Sequence, residues 1–447
     1  MTMDSNAVSG RLLHQSWINS VVGFSSQGWV RKGTITLFDQ GIVSATNFLT
    51  GVIVARACSP EEFGSYSLGW SIVLIATCLQ NSLVSSPYTL HSTRLDSGGS
   101  KYYAGSTLAI QLGLSALIAL SLAIGGISLY ITAGATRLTS IVCVLAVVIS
   151  ILLLREFFRR ILFAHLNMRA ALRLDIFLCI FQVGTLLILA RFDRLSAIST
   201  LIVISIGGGL AVIFCMFSMR HSFLVQYGRI KRDLRTSFRL GKWILASSMV
   251  ILINIEIYRW LLTAFYGLTE VGKYAACWSI VAILNPLKLG VGNFFEPMAA
   301  RGYTSGPSEF SRIIVVAVMF LATSVGFICL AIAASGDYLL GFVFGDAYTG
   351  NGSLLVVLSA FMFVSTLGSV ATHALRAMER ADLDFKIGLI VIGITLSIGV
   401  FFTMNHGALG AALGLVVGGL CGLLLRFLVL TRFMFLMHDT SKIMQRV

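Results

Sequence analysis

The stretch EFGSYSLGWSIV, residues 62–73, recurs in the second half of the chain as EVGKYAACWSIV, residues 270–281. The two copies align without gaps, and seven of their twelve positions are identical. Each copy leads into an apolar run of membrane-spanning length. The recurrence therefore predicts a duplicated chain, with one copy of the same unit in each half.

The composition is typical of a protein embedded in lipid. Of the 447 residues, 57% are hydrophobic and only 12% are charged, against about 25% charged residues in soluble domains. So few charges do not cover the surface of a water-soluble protein of this size. The sequence thus predicts that most of the surface faces lipid.

Several classes of function have no support in the residues. The formal charge of +14 comes from short basic clusters between apolar runs, so no nucleic acid partner is expected. The eight cysteines and seven histidines are scattered, which predicts no metal site and no cofactor. The chain carries no catalytic triad and no phosphate-binding loop, so we expect it not to be an enzyme.

Apolar runs of about 20 residues, enough to cross about 30 Å of hydrocarbon, occur twelve times. The sequence predicts an all-α polytopic membrane protein of about twelve helices. The runs lie at roughly 34–55, 64–86, 104–131, 138–157, 170–190, 195–217, 242–265, 270–292, 312–334, 350–372, 386–403 and 408–430.

The basic residues predict the orientation of the chain. Two dense basic blocks, residues 154–169 and 220–242, follow the fourth and sixth spans. By the positive-inside rule these connections and both termini lie in the cytoplasm. The other side of the membrane receives only Arg56, Arg137, Arg191, Arg194 and Lys273.

The duplication and the orientation together predict two domains. Because six spans are an even number, both copies have the same orientation and are related by an axis along the membrane normal, around a central cavity. We expect a six-helix N-terminal lobe at 34–222 and a six-helix C-terminal lobe at 242–430. A basic linker at 223–241 joins them, with cytoplasmic tails at 1–33 and 431–447.

The first copy of the repeat begins with a helix start. In Ser59-Pro60-Glu61-Glu62 we expect a capping box, with Ser59 as the N-cap, Pro60 at the first helical position and Glu62 reaching back to the cap. This turn is expected to hold neighbouring helices of one lobe together.

Three stretches resemble a known family. They are ARACSPEEFGSYSLGWSIV at 55–73, GLTEVGKYAACWSIVAILNPLKLGVGNFFEPMAARG at 267–302 and ALGAALGLVVGG at 408–419. They are similar to the polysaccharide and oligosaccharide-lipid exporters, including O-antigen flippases, of the multidrug/oligosaccharidyl-lipid/polysaccharide exporter superfamily. The chain departs from that family in having Glu256 where an aspartate is frequent.

The resemblance implies a function. A member of this family moves an isoprenoid-diphosphate-linked oligosaccharide from the inner to the outer leaflet by alternating access. The implied partners are the lipid-linked oligosaccharide, membrane lipids, a coupling H+ or Na+, and components of a polysaccharide polymerase.

Three ionisable residues inside spans are the first candidates for substrate binding. Such residues are costly in lipid and are usually functional. Arg259 and Lys288 suit a diphosphate, which arginine binds bidentately and lysine binds as a point charge. Two alternatives stay open: Glu256 and Arg259, at i and i+3, neutralise one another, or Lys288 snorkels to the headgroups. We also expect that an arriving diphosphate displaces Glu256 from Arg259.

Further polar residues are secondary candidates. Asp39, like Glu256, is a possible site for a coupling ion, and a plain interfacial carboxylate is the alternative. We expect the basic residues Arg155, Arg159 and Arg160 to attract diphosphate lipids to the cytoplasmic entrance, although topology alone also explains them. The following amides suit sugar hydroxyls or helix contacts: Asn254, Asn285, Asn293, Gln80 and Asn81.

Two other functions are alternatives to a flippase. An ion-coupled multidrug antiporter of the same fold usually carries cationic substrates and would favour carboxylates over Arg259 and Lys288 in its cavity. A membrane polymerase or ligase of lipid-linked sugars needs a large external loop, and the predicted outward loops are short.

Overall fold

The structure, a computed structural model, describes residues 26–92 and 97–444. All secondary structure in these two ranges is helical. The helices are α1 (Ser26–Ala57), α2 (Pro60–Gln80), α3 (Ser86–Ser92), α4 (Ser97–Ala133), α5 (Arg137–Ala164), α6 (Met168–Arg191), α7 (Ala197–Met219), α8 (Tyr227–Tyr266), α9 (Leu268–Val281), α10 (Asn285–Ser305), α11 (Pro307–Phe344), α12 (Gly352–Ala377), α13 (Ala381–Ile394) and α14 (Val400–Met444).

The predicted twelve spans are confirmed, although the spans and the helices do not correspond one to one. One span consists of two short helices, and one long helical segment contains two spans. Ten helices within the described ranges are long and apolar enough to cross a membrane. The eighth span is α9 and α10, interrupted by a 3-10 turn at Ala282–Leu284. The last of the ten, Ala381–Phe435, is too long for one crossing and divides at Gly407, whose φ of 56° and ψ of −133° break the helix.

The predicted linker and the predicted C-terminal tail are largely helical. Residues 227–241 of the predicted linker form the first part of α8, and α14 continues to Met444 through most of the C-terminal tail. On α8, Asp233, Ser237 and Gly241 are buried at a spacing of four residues. This helical stripe packs on the first half of the chain, which explains why the linker continues as helix. The first 25 residues lie outside the described ranges.

The two copies of the repeat contact each other. We call α1–α7 the N-lobe and α8–α14 the C-lobe, and we call the end of the bundle that holds Pro60–Gly64 and Leu268–Gly272 the motif end. A Cβ on Gly64 would lie 2.9 Å from the amide nitrogen of Gly272, and a Cβ on Gly272 would lie 3.2 Å from that of Gly64. The duplicated sequence thus forms a two-fold contact between backbones, with a glycine required on both sides.

The capping box is only partly as predicted. Ser59 caps α2, since its Oγ accepts a hydrogen bond from the Glu62 amide at 3.3 Å. The Glu62 carboxylate does not reach back to the cap. It accepts a hydrogen bond from the Ala197 amide at 2.8 Å and pairs with Arg137. The free N–H groups at the start of α7 and a guanidinium attract the carboxylate away from Ser59, and Glu62 therefore ties α2 to α5 and α7.

A second contact at the motif end joins the lobes. The Arg56 Nε, at the end of α1, donates a hydrogen bond to the Val343 carbonyl of α11 at 2.8 Å, and its Nη2 donates to the Phe342 carbonyl. These carbonyls belong to the last turn of α11 and have no partner within that helix. The Phe344 ring lies 6.4 Å from that of Phe48 and 6.2 Å from that of Phe63.

Candidate functional site

A cavity of about 610 Å³ lies between the lobes, next to the contact at the motif end. On α2 its lining extends from Phe63 to Leu74, a depth of about 16 Å at the helical rise per residue. α1 and α2 supply the N-lobe wall, and α8, α9 and the start of α10 supply the C-lobe wall. The predicted central cavity is thus confirmed, and both copies of the repeat line it.

The repeat places an equivalent pair of aromatic side chains on each side of the cavity. On α2 the rings of Tyr66 and Trp70 stack with centroids 6.2 Å apart, and on α9 those of Tyr274 and Trp278 stack at 6.1 Å. Both tryptophans line the cavity. Tyrosine and tryptophan are four residues apart in each copy and therefore share one helix face.

Glu256 and Arg259 on α8 both line the cavity. They form an ion pair on one helix face, and both side chains are largely buried. The Arg259 Cζ lies 5.9 Å from the centre of the Trp278 ring, within the range of a cation–π interaction. The Arg259 Nε has no hydrogen-bond partner among the described residues. The mutual neutralisation that the sequence left open is therefore present, while phosphate binding by Arg259 stays a prediction.

The break between α9 and α10 lies in the C-lobe wall of the cavity. Pro286, in the first turn of α10, has no N–H to donate, and the preceding residues form a 3-10 turn. Asn285 and Pro286 both line the cavity at this point. Lys288 lies two residues further on, away from the cavity lining, and its Nζ donates a hydrogen bond to the Ser365 Oγ at 2.6 Å. A role for Lys288 in substrate binding stays a prediction.

The structure places Asp39 in a cluster of charges inside the N-lobe. The Arg159 guanidinium lies between two carboxylates, with Nη2 2.7 Å from the Asp39 Oδ2 and Nε 2.7 Å from the Asp175 Oδ2. Arg155 also pairs with Asp175, at 3.1 Å, and Glu156 lies 3.9 Å from Arg159. The guanidinium occupies one side of Asp39, whose Oδ1 has no partner among the described residues. Ion coupling at Asp39 stays a prediction.

The three arginines expected at the cytoplasmic entrance differ in their surroundings. Arg155 and Arg159 are held by carboxylates within the N-lobe. The Arg160 side chain is 45% exposed and pairs with Glu156 at 2.9 Å. Their role at the entrance stays a prediction, and Arg160 has the most accessible side chain of the three.

The predicted amides have separate positions. Asn285 lines the cavity, while Gln80 donates to the Leu153 carbonyl at 2.8 Å and Asn254 contacts Thr395 at 3.4 Å. Asn81 lies in a π-helical turn at Asn81–Ser85. The Asn293 side chain is outside the described part of the chain.

Sequence reasoning missed a polar stripe on α1. Gln40, Ser44 and Asn47 line the cavity together with Gly51. Their spacing of four, three and four residues places them on one face of a helix. This periodicity is visible in the sequence, and it would have identified the cavity-facing side of the first span.

Comparisons with known proteins agree with this architecture. A model of the polysaccharide biosynthesis protein family matches residues 29–288, more than half of the chain. The probable flippase AglR of Haloferax volcanii is 26% identical over 181 residues, which is 38% of this chain and 37% of that protein. The matched part thus spans little more than a third of that relative.

Solved structures of similar fold were also found. An inward-facing multidrug resistance MATE family transporter of the MOP superfamily has a TM-score of 0.74 at 16% identity, covering 89% of this chain and 95% of its own. The lipid II flippase MurJ in an inward closed conformation has a TM-score of 0.70 at 14% identity, covering 90% and 87%. An outward-facing MATE structure has a TM-score of 0.62 at 14% identity, covering 92% and 96%.

Proposed function

The chain belongs to the polysaccharide biosynthesis protein family, and from this premise we propose that it is a flippase for an isoprenoid-diphosphate-linked oligosaccharide. The observation that carries the proposal is Arg259, which faces a cavity between two lobes and has a single carboxylate partner, Glu256. Arginine binds phosphate groups through paired, charge-assisted hydrogen bonds. The diphosphate would bind at Arg259 while the lipid tail stays in the bilayer.

The ion pair suggests how the substrate diphosphate can bind to Arg259 and later be released from it. Glu256 neutralises Arg259, so neither charge is unpaired before a substrate arrives. An arriving diphosphate displaces the carboxylate from the guanidinium, and Glu256 then takes up a proton or Na+. When the substrate leaves, the pair forms again and the cation is released. Glu256 is thereby the proposed ion-coupling group of the site.

The proposal includes an orientation and a place in the cell. α8 begins with a segment whose Lys231, Arg235, Arg239 and Lys242 are exposed. Such residues lie on the cytoplasmic side, so the motif end faces outward and both termini lie in the cytoplasm of a bacterial inner membrane. Polysaccharide polymerase components are the proposed partners that receive the translocated substrate.

A multidrug antiporter is the second candidate, and the fold shared with MATE transporters supports it. A cationic drug is best held by a carboxylate that has no other partner. Glu256, the one carboxylate among the cavity-lining residues of the described chain, is paired with Arg259. Arg259 keeps its Nε donor without a partner among the described residues even while it is paired with Glu256, and this free donor is the reason to favour an anionic substrate.

An enzyme that polymerises or transfers lipid-linked sugars is less well supported. At the motif end the helices are joined by short connections, such as residues 345–351 between α11 and α12. These connections leave little chain for an external acceptor site.

The test is transport by purified protein in proteoliposomes loaded with a fluorescent undecaprenyl-diphosphate oligosaccharide. The double variant Glu256→Gln with Arg259→Leu removes both charges without leaving either one unpaired. We expect transport to fall about 10- to 100-fold, the value of one or two charge-assisted hydrogen bonds. Unchanged transport by this variant would contradict the proposal.

A matched control comes from the same chain. Glu309 and Arg312 on α11 form an ion pair at the same i, i+3 spacing, with side chains 42% and 73% exposed. The variant Glu309→Gln with Arg312→Leu should transport at the unmodified rate. Uptake of a cationic dye driven by a H+ or Na+ gradient, without movement of the lipid, would support the antiporter instead.

A further inference from the structure

The two walls of the cavity differ in chemistry. The lining residues from α1 and α2 carry amide, hydroxyl and aromatic groups and no charge; they include Gln40, Ser44, Asn47, Tyr66, Ser67 and Trp70. We call these six residues the N-wall. Both charged lining residues of the described chain, Glu256 and Arg259, belong to the C-lobe wall. The cavity is therefore uncharged on one side and charged on the other.

The amides of the N-wall are free, unlike other glutamines inside the lobes. The amide nitrogens of Gln80, Gln111 and Gln182 donate at 2.7 to 2.9 Å to partners within the N-lobe. Gln40 and Asn47 make no hydrogen bond through their side chains to any described residue. In a membrane protein an amide without a partner is costly unless water or a ligand supplies one. These two amides thus have their donors and acceptors available within the cavity.

Aromatic rings complete the N-wall. Trp70 is stacked on Tyr66, which holds its indole in place beside the amides. The face of an indole carries negative partial charge and attracts the weakly positive C–H groups on the flat side of a sugar ring. On the opposite wall the equivalent Trp278 faces the Arg259 guanidinium instead. The repeat therefore offers one tryptophan beside neutral groups and one beside a cation.

We propose that the headgroup binds with a fixed polarity, its sugars against the N-wall and its diphosphate against Arg259 of the C-lobe. This inference rests on the proposed flippase function, and it specifies which residues recognise the glycan. Gln40, Asn47 and Trp70 would select among glycans, while Arg259 would bind the diphosphate that all such lipids share.

The experiment compares two probes on the full-length protein in detergent. One is undecaprenyl diphosphate, and the other is the same lipid carrying a neutral trisaccharide. Affinities are measured by thermophoresis for the unmodified protein, for Gln40→Leu with Asn47→Leu, for Trp70→Leu and for Glu256→Gln with Arg259→Leu. Each N-wall variant should lose about tenfold or more for the glycosylated probe, the value of one to two lost hydrogen bonds or a stacking contact. Its affinity for the bare diphosphate should change less than twofold.

Controls remove the same groups outside the cavity. Trp243→Leu removes an indole that is 68% exposed on α8, and Asn405→Leu removes an exposed amide on α14. Neither residue is part of the cavity lining. Both variants should bind the two probes as the unmodified protein does, and thermal melting of every variant checks that it is folded.

The outcomes separate this inference from the proposed function. If the N-wall variants lower the affinity for both probes equally, or for neither probe, the fixed polarity is wrong. A diphosphate lipid then remains supported as the substrate. If the unmodified protein binds neither probe, the proposed function is overturned, and the polarity with it. A loss confined to the glycosylated probe supports both.

Discussion

The N-lobe and the C-lobe both bury arginine in their helices, but they surround it differently. In the N-lobe, Arg159 lies between Asp39 and Asp175, and none of the three lines the cavity. In the C-lobe, Arg259 has one carboxylate partner, and both members of the pair line the cavity. The first arrangement joins α1, α5 and α6, whereas the second leaves a guanidinium within reach of a ligand.

The difference teaches that burial alone does not identify a functional charge in a membrane protein. A guanidinium between two carboxylates has most of its donors occupied, so it stabilises the lobe and offers little to a substrate. A guanidinium with one partner beside a cavity can exchange that partner. The number of partners and access to the cavity separate Arg159 from Arg259, the arginine that we propose binds the substrate.

The largest expected effect is on the stability of the N-lobe. Arg159→Leu leaves the buried Asp39 without a cation and leaves Asp175 paired with Arg155 alone, which should lower the free energy of unfolding by about 3–5 kcal/mol. The neighbouring Arg160→Leu removes a guanidinium that is 45% exposed and has Glu156 as its partner, and it should cost about 0–1 kcal/mol. Thermal and denaturant unfolding in detergent measures both variants. Equal losses of unfolding free energy in the two variants would show that Arg159 does not hold the N-lobe charge cluster together.

An intermediate effect is expected at the motif end, where the lobes are alike. Gly64→Ala and Gly272→Ala each place a methyl group against the backbone of the other repeat, which should cost about 1–3 kcal/mol and open the motif end. After replacement of the eight native cysteines, spin labels at positions 61 and 269 should show a longer distance in both variants.

The control for this prediction is Gly113→Ala, at a helical glycine where an added Cβ would meet nothing within 4 Å beyond the adjoining residues and the nearby backbone of its own helix. It should stabilise α4 by about 0.5–1 kcal/mol and leave the label distance unchanged. A response to one glycine of the motif but not the other would show that the contact is not two-fold.

The smallest expected effect is a difference in stability between variants of Glu62 and Glu270, the equivalent glutamates of the two repeats. Glu62→Gln weakens the contacts with Arg137 and the Ala197 amide and should cost about 1–2 kcal/mol. Glu270 pairs with Lys273 one turn away, at 2.7 Å, so Glu270→Gln should cost about 0.2–0.5 kcal/mol. Unfolding measurements on the two single variants and the double variant test this, and equal single costs would contradict it.

The sequence predicted the features that depend on local patterns. Twelve apolar runs and a gapless repeat were enough for the number of spans, the two lobes and the central cavity. The Glu256–Arg259 pair was also predictable, because residues three apart on one helix are neighbours. Gln40, Ser44 and Asn47 of α1 recur at a helical period. The side of the first span that faces the cavity was therefore also predictable from the sequence.

Other features depend on which helices meet, and a single sequence does not give that. Asp39 and Arg159 are 120 residues apart, so nothing local indicated that they pair. Glu62 was expected at its own helix cap, yet it bonds to the start of α7, which is close only in the folded protein. The continuous helix through the predicted linker likewise depends on the N-lobe surface against which α8 packs.

The glycine contact at the motif end has a consequence for the history of the chain. Because the same residues of each repeat meet across a two-fold axis, the contact is isologous and needs only one kind of surface. A half-length ancestor with one copy of the motif would form it as a homodimer, with both subunits in the same orientation in the membrane. Fusion of the two genes would then have preserved this interface while allowing the charges of each half to diverge.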